Sequence, residues 1–279
     1  MSAARVAPRS VSAEPEIPVA AVPPWWRLYP SRILTFWLVE LRKIRHDRTE
    51  LYTRAVQPVL WLLIFGETFS RIRAIPTPPG ISYLAYLSPG IMAQSALFIA
   101  IFFGIQIIWE RDSGILTKLM ATPTPRLALI SGKAFAAGVR SVSQVVVVLV
   151  LSAILQIRFD WAPWKLLGAA AIVVLGAAFF SCLSMTIAGI VLHRDRLMGF
   201  GQMITMPLFF ASNALYPVKV MPGWLQGLSA VNPMSYEVDA LRGFLLGTSS
   251  NLGLDFAILV VAVVVGVAAS AALLPRLAR

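Results

Sequence analysis

The sequence predicts an all-α membrane protein with six transmembrane helices and both termini in the cytoplasm. Three observations carry that reading. The 279 residues are 58% apolar and only 13% charged, with a mean hydropathy of +0.75, whereas a soluble domain carries about a quarter charged residues. The apolar residues gather into long runs, and six of these approach the roughly 20 residues that a membrane helix needs. The basic residues flank those runs, as they do at cytoplasmic membrane edges. A net charge of +11 would suit nucleic acid if the cations lined one face of a soluble domain. Their scatter between apolar runs excludes that partner and implies the lipid bilayer instead.

Residues 1–24 are mostly Ala, Pro, Val and Ser with scattered charges. They lack the central apolar stretch of a cleavable signal peptide and read as a disordered tail. Residues 25–279 then form one membrane domain. In 31–54, Ile33, Leu34, Trp37, Leu38, Leu41 and Ile44 recur at helical spacing, and Arg42, Lys43 and Arg45 occupy the other face. A helix with one oily and one basic face lies in the membrane surface.

The spans follow at about 55–71, 84–108, 134–157, 166–192, 197–216 and 255–274. The first is short, and Pro58 near its start suits an N-terminal turn or a kink. Pro89-Gly90 and Pro207 are expected to bend their helices. Six spans put both ends on one side. That side holds eighteen of the 24 Lys and Arg residues, so it is the cytoplasmic one.

Between the second and third spans the chain reads WERDSGILTKLMATPTPR, 109–126. Five charges at the bilayer centre would cost about 10 kcal/mol or more on insertion scales, so this stretch lies outside the hydrocarbon. Its pattern exceeds that of a polar turn. Asp112 or Ser113 can cap a helix. Ile115, Leu116, Leu119 and Met120 form an apolar face opposite Thr117 and Lys118, and Pro123 and Pro125 close the segment. A short amphipathic helix held between two spans is a docking element.

Here the chain resembles the permease subunits of ABC-2 type exporters. The resemblance rests on Glu110, Arg111, Gly114, Leu116, Leu119 and Pro123 between spans two and three, and on the 31–54 helix. It rests also on NPMSYEVDALRG, 232–243, before the last span, and it covers about 30–270. MPGWLQGLSAVNP, 221–233, is most similar to the branch of daunorubicin-type drug exporters and nodulation-type lipo-oligosaccharide exporters. The resemblance implies that 110–123 is a coupling helix seated on an ATPase subunit. It implies two copies of that ATPase, carrying ATP and Mg, and a homodimer or a heterodimer with a similar permease in a bacterial cell membrane. It also implies re-entrant helices closing the outer end of the path, in the region of Asn232, Pro233, Asp239 and Arg242.

No cofactor is expected on this chain itself. A phosphate-binding loop needs Gly-x-x-x-x-Gly-Lys-[Ser/Thr]. The nearest stretch ends in Gly132-Lys133, but Leu127 replaces the first Gly and Ala134 the hydroxyl residue. An ATP-driven exporter built on this chain therefore needs a separate ATPase, and the chain is not itself an enzyme.

Lys133, Arg140 and Gln144 fall within about 40° on one face of the third span. They read as a stripe lining a cytoplasm-facing cavity or meeting the ATPase, with snorkelling of the two cations as the alternative. Glu237, Asp239 and Arg242 would be expensive facing lipid, so they should pair or face water, and Asp239 and Arg242 are spaced to pair. Gln57, Gln94, Gln106, Gln202 and Asn213 are uncharged polar residues within spans, suited to interhelical hydrogen bonds. Cys182 lies in an apolar run and reads as a small buried hydrophobe. His46 and His193 stand beside Arg and Asp, with no catalytic or metal cluster around them. Phe98, Phe102, Phe103, Phe179, Phe180, Phe209 and Phe210 suit a hydrophobic or amphipathic cargo such as a drug, a lipid or a lipid-linked glycan. The rival reading is a secondary transporter or channel, which needs charges at the bilayer middle. The middles of the six apolar runs contain none.

Overall fold

The computed structural model describes residues 25–46, 48–72, 75–122 and 124–277. The tail 1–24 and Pro123 lie outside them. Among the described residues the fold is helical without strands. In chain order the helices are α1 (Trp25–His46), α2 (Arg48–Leu60), a π-helical turn (Trp61–Gly66), α3 (Glu67–Ile72), α4 (Tyr83–Asp112), α5 (Ile115–Met120) and α6 (Arg126–Ile154). They continue as α7 (Pro163–Val191), α8 (Arg194–Phe210), α9 (Gly223–Val231), α10 (Pro233–Leu246) and α11 (Leu252–Leu277).

Four helices are long and apolar enough to cross a membrane: α4, α6, α7 and α11. They account for expected spans two, three, four and six. The first expected span is built differently. Pro58 sits inside α2 rather than at a helix start, and the π-helical turn follows it directly. Proline has no N–H to give the preceding turn, and a local change of helical register is a usual response. The fifth expected span corresponds to α8, 17 residues long with Arg194, Asp195 and Arg196 at its start.

The bundle is organised about α7, which packs on α4, α6, α10 and α11. Small residues set the close approaches. A Cβ on Gly104 of α4 would overlap Ser184 of α7, and one on Gly138 of α6 would press on Val174 of α7. Small-residue faces of this kind let membrane helices pack backbone to backbone. Buried hydroxyls bind across the same contacts. Ser184 Oγ donates to the Ile101 carbonyl at 2.7 Å, and Ser270 Oγ of α11 donates to the Cys182 carbonyl at 2.7 Å. Cys182 is fully buried, as expected.

These contacts fix direction. Helices α4, α7 and α11 run one way and α6 runs the other. The α5 end of the bundle holds the C-termini of α4, α7 and α11, and the opposite end holds α9 and α10. The stack of α2, π-turn and α3 passes from the first end to the second, where Phe69 meets Tyr83 with ring centroids 5.9 Å apart. Helix α8 runs antiparallel to α4, from Arg194 beside Trp109 to the Ala214 backbone against Gly90.

Helix α1 lies against α6 near the α5 end. Phe36 rests on Gly132, and Trp37 tilts against Phe135 at 6.5 Å. Leu34, Leu38 and Leu41, spaced as one helical stripe, are about half exposed. The bundle exterior is apolar elsewhere too, with Val146, Val150 and Ile154 of α6 and Val261, Val264 and Val265 of α11 exposed. Such a surface is stable against lipid, not water.

Candidate functional site

The link from α4 to α5 is only Ser113 and Gly114. Gly114 has φ 72°, ψ 3°, and it is the residue from which α5 starts. The expected caps are corrected by this geometry. Asp112 is engaged by its neighbour, accepting from Arg111 Nε at 3.0 Å and Nη2 at 2.8 Å, and Ser113 Oγ donates to the Glu110 carbonyl at 3.1 Å. A two-residue reversal needs one left-handed residue, and glycine meets no steric penalty there. Nothing lies within 4 Å of where a Gly114 Cβ would sit, so the requirement is conformational only.

Three contacts bind this element to the bundle. Lys133 of α6 donates to the Glu110 carboxylate as a short ion pair, and the Lys133 side chain is only 8% exposed. Arg111 Nη1 donates to the Leu192 carbonyl at 3.0 Å, at the end of α7. Leu116 is fully buried, and Leu119 and Met120 pack partly against the core. Ile115, Thr117 and Lys118 remain exposed. One turn of α4 thus grips α6 and α7 while α5 presents a mixed outer face.

The expected stripe on α6 divides into three roles. Lys133 is the partner of Glu110. Arg140 is half-buried, its guanidinium carbon 5.9 Å from the Phe103 ring centroid. Gln144 is 1% exposed, neither of its amide atoms has a partner among the described residues, and it lines a groove of 450 Å³. Arg54, Gln57, Ser95, Phe98 and Phe102 share that groove. Of the three expected residues, Gln144 is the one that lines this groove.

At the opposite end, Asn232 caps α10. Its side-chain oxygen accepts from the Met234 N–H at 3.1 Å, and its amide donates to the Leu208 carbonyl at 2.7 Å. Pro233 occupies the first helical position, where a missing N–H costs nothing. Arg242 is 4% exposed. Its Nη2 donates to the carbonyls of Asn213 at 2.8 Å, Ala214 at 3.2 Å and Tyr86 at 3.3 Å, and its Nε donates to the Tyr86 carbonyl at 3.3 Å. Its carbon lies 3.6 Å from the Tyr86 ring centroid, a cation–π contact. The expected pairing with Asp239 is only a loose 3.9 Å approach, and the Asp239 carboxylate instead accepts from Asn213 Nδ2 at 2.6 Å.

Glu237 departs from expectation. It is fully buried, and neither carboxyl oxygen has a partner among the described residues. It fills the hollow over Gly176, where a Cβ would overlap its carboxyl. Among the described residues it is therefore neither paired nor exposed at the surface. The contact across 61 positions left no trace in local spacing, although a Gly in the middle of a long apolar helix signals close approach.

Residues 31–246 match the ABC-2 type transporter family. The chain is a member of that family. This ABC-2 permease is 30% identical over 207 residues to the putative transport permease ycf38 of Cyanophora paradoxa, covering 72% of this chain and 69% of the relative. It is 23% identical to the daunorubicin resistance ABC transporter permease protein DrrB1 of Streptomyces coeruleorubidus, covering 78% and 76%. It is 26% identical to nodulation protein J of Rhizobium leguminosarum bv. viciae, covering 78% and 84%. An ABC-2 permease is the membrane subunit of an ABC transporter and works with an ABC ATPase partner. The drug-exporter and nodulation branches expected from 221–233 are both among its relatives.

Proposed function

We propose that this permease moves a hydrophobic or amphipathic molecule out of the cytoplasm, driven by two copies of a separate ATPase that push on α5. The observation that carries the reading is the double grip of the α4 terminus. Glu110 binds α6 through Lys133, and Arg111 binds the end of α7. A force on α5 enters three long helices at once. The exposed Ile115 and Lys118 offer that force a docking face, and Gly114 sets its angle. ATP and Mg act on the partner, and no residue of this chain is assigned to them.

In this reading the α5 end is cytoplasmic, and the 48–72 stack and α8 also cross the bilayer, making six spans with both termini inside. The π-turn packs on α4, and the charged start of α8 is exposed at the α5 end, outside the hydrocarbon in this reading. Helix α1 lies in the inner surface, its Leu34, Leu38 and Leu41 stripe immersed. Two permeases, identical or similar, pair about a two-fold axis in a bacterial plasma membrane. The apolar exterior and the relatives named for daunorubicin resistance and nodulation support an amphipathic cargo of the drug, lipid or lipid-linked glycan class.

The test is reconstitution with the ATPase partner in proteoliposomes. ATP-dependent movement of a fluorescent amphiphile, lost with Gly114→Pro while the permease still inserts and folds, is the expected result. Undiminished ATP-driven transport by Gly114→Pro would refute the lever.

A further inference from the structure

Glu237 is a buried acid that the coupling mechanism does not use. It projects from α10 against α7, where its carboxyl occupies the space that a Cβ on Gly176 would take. Gly176 lies thirteen residues into α7, about 20 Å along the helix from Pro163. Trp161 and Trp164 are exposed at that start of α7, as tryptophans are at a membrane edge. The hydrocarbon is about 30 Å thick, so the Gly176 hollow sits in its interior. Ionisable residues at such depth are rare and mark functional sites.

We infer that Glu237 is the proton-binding group of a latch: α10 seats on α7 only while this carboxyl is protonated, and leaves α7 with the loss of that proton. The surroundings select the neutral form. The side chain is fully buried, and neither oxygen has a partner among the described residues. Helices α4, α7 and α11 pack on α10. Toward this end they carry the titratable groups Tyr83 and Tyr86 on α4, Lys165 and Cys182 on α7, and Asp255 on α11; α10 itself carries Tyr236, Asp239 and Arg242. Arg242 is committed to three backbone carbonyls, and Lys165 to Asp160. No described cation is bound to the Glu237 carboxyl. An ionised carboxylate there would be desolvated and alone, whereas a protonated one is uncharged and forgoes only hydrogen bonds.

The step is a simple association. One carboxylate oxygen takes a proton from water as α10 closes on α7, and returns it when water reaches the hollow. A glutamate in water titrates at about 4.3, so near neutral pH the separated state is ionised and the seated state is not. Separation therefore releases one proton, and rising pH favours it. The ends of α10 suit such a movement. Asn232 has extended backbone at one end, φ −86° and ψ 113°, and Gly247 is left-handed at the other, φ 67° and ψ 24°, so α10 is a short rod between two breaks in the helix. The hollow itself depends on Gly176, because any side chain there would take the volume of the carboxyl. The latch goes beyond the export reading: it holds whichever side of the membrane the α9/α10 end faces, and it needs no ATPase.

The experiment compares the full-length permease with Glu237→Gln, both in phosphatidylcholine nanodiscs. Infrared difference spectra at about pH 7 read the carboxyl directly. The wild type is expected to show the carbonyl stretch of an un-ionised carboxylic acid, shifted in heavy water and missing from Glu237→Gln; Asp239 and Asp255 are present in both proteins and cancel. Hydrogen exchange of the 233–246 amides, corrected for the intrinsic pH dependence of exchange and followed from about pH 5 to about pH 8, reads the seating of α10. The proton stabilises the seat fully below the titration point of the exposed acid, and that stability is lost as pH rises toward the titration point of the seated one. Protection of α10 should therefore fall by up to tenfold per pH unit in the wild type and stay level in Glu237→Gln. Glu237→Leu, also uncharged, is the reference in both measurements if Glu237→Gln does not insert. An ionised-carboxylate band from position 237, or the same pH profile in wild type and variant, would each overturn the inference. Neither ATP nor the ATPase enters these measurements, so their failure leaves the lever standing, and failure of the lever leaves the latch intact.

Discussion

Lys133 and Glu110 form an ion pair between the start of α6 and the end of α4, with the lysine almost wholly enclosed. Removing one member of an enclosed pair leaves the other charge desolvated and alone, which costs more than the pair itself contributes. Glu110→Gln is therefore expected to destabilise the permease by about 2 kcal/mol, the scale of a charge-assisted hydrogen bond, and to weaken retention of the ATPase. The double variant Glu110→Gln/Lys133→Met removes both charges and should recover stability but not coupling. Thermal unfolding in detergent and co-purification with the ATPase read the two effects separately. Additive destabilisation in the double variant would show that the pair is not energetically linked.

Gly114 supports a second expectation. Its φ is 72° and the space around its Cβ position is open, so Gly114→Val should cost only the backbone strain of a left-handed residue, at least the roughly 1–2 kcal/mol typical of non-glycine residues. Asn tolerates this region better, so Gly114→Asn should retain most coupled ATPase activity where Gly114→Val loses it. Equal activity of the two variants would remove the conformational argument.

The Gly176 and Glu237 contact yields a compensation test. Gly176→Ala places a methyl group on the Glu237 carboxyl, and overpacking of this kind costs about 1–3 kcal/mol. Glu237→Ala clears that volume, so the double variant should be more stable than Gly176→Ala alone. Circular dichroism melts of the three variants measure it. A double variant less stable than either single change would mean that the two positions do not share the space.

A pH dependence follows at the α6–α7 turn. Asp160 accepts from Lys165 and from the Ala162 N–H, and these contacts, led by the Lys165 hydrogen bond, hold its carboxyl below the usual aspartate value. A depressed folded value means that the stabilisation is present above the unfolded pKa and is lost as pH falls through the folded one. The site is solvent-exposed, so the effect is small. Asp160→Asn should lower the melting temperature slightly at pH 7 and leave it unchanged near pH 2. A deficit that persists near pH 2 would assign the effect to something other than charge.

Most of the fold was legible because its signals are local. Apolar runs of full length announced α4, α6, α7 and α11, and Asn232-Pro233 announced the start of α10 through ordinary capping chemistry. The first expected span was legible as an apolar run but not in its construction, because the register change after Pro58 depends on what packs around it. The short helix α5 was legible in its charge and apolar pattern, yet its cap was misassigned. Asp112 and Ser113 are good caps in isolation, and only the tightness of the α4–α5 reversal shows that Gly114 must carry a positive φ. Contacts between residues distant in sequence were out of reach. Nothing in spacing reveals that Arg111 meets Leu192, 81 positions away, or that Arg242 closes on Tyr86, 156 positions away. Glu237 was misjudged for the same reason: its burial is a property of α7, not of α10.

The central claim is that α5 lies in the cytoplasm where an ATPase can push it. Lys118 is exposed on α5, and the one native cysteine, Cys182, is fully buried, so Lys118→Cys provides a single reactive thiol. Labelling with a membrane-impermeant maleimide in inside-out vesicles, absent in right-side-out vesicles and blocked by added ATPase subunit, is the result this account predicts. Labelling from the outer face would contradict it.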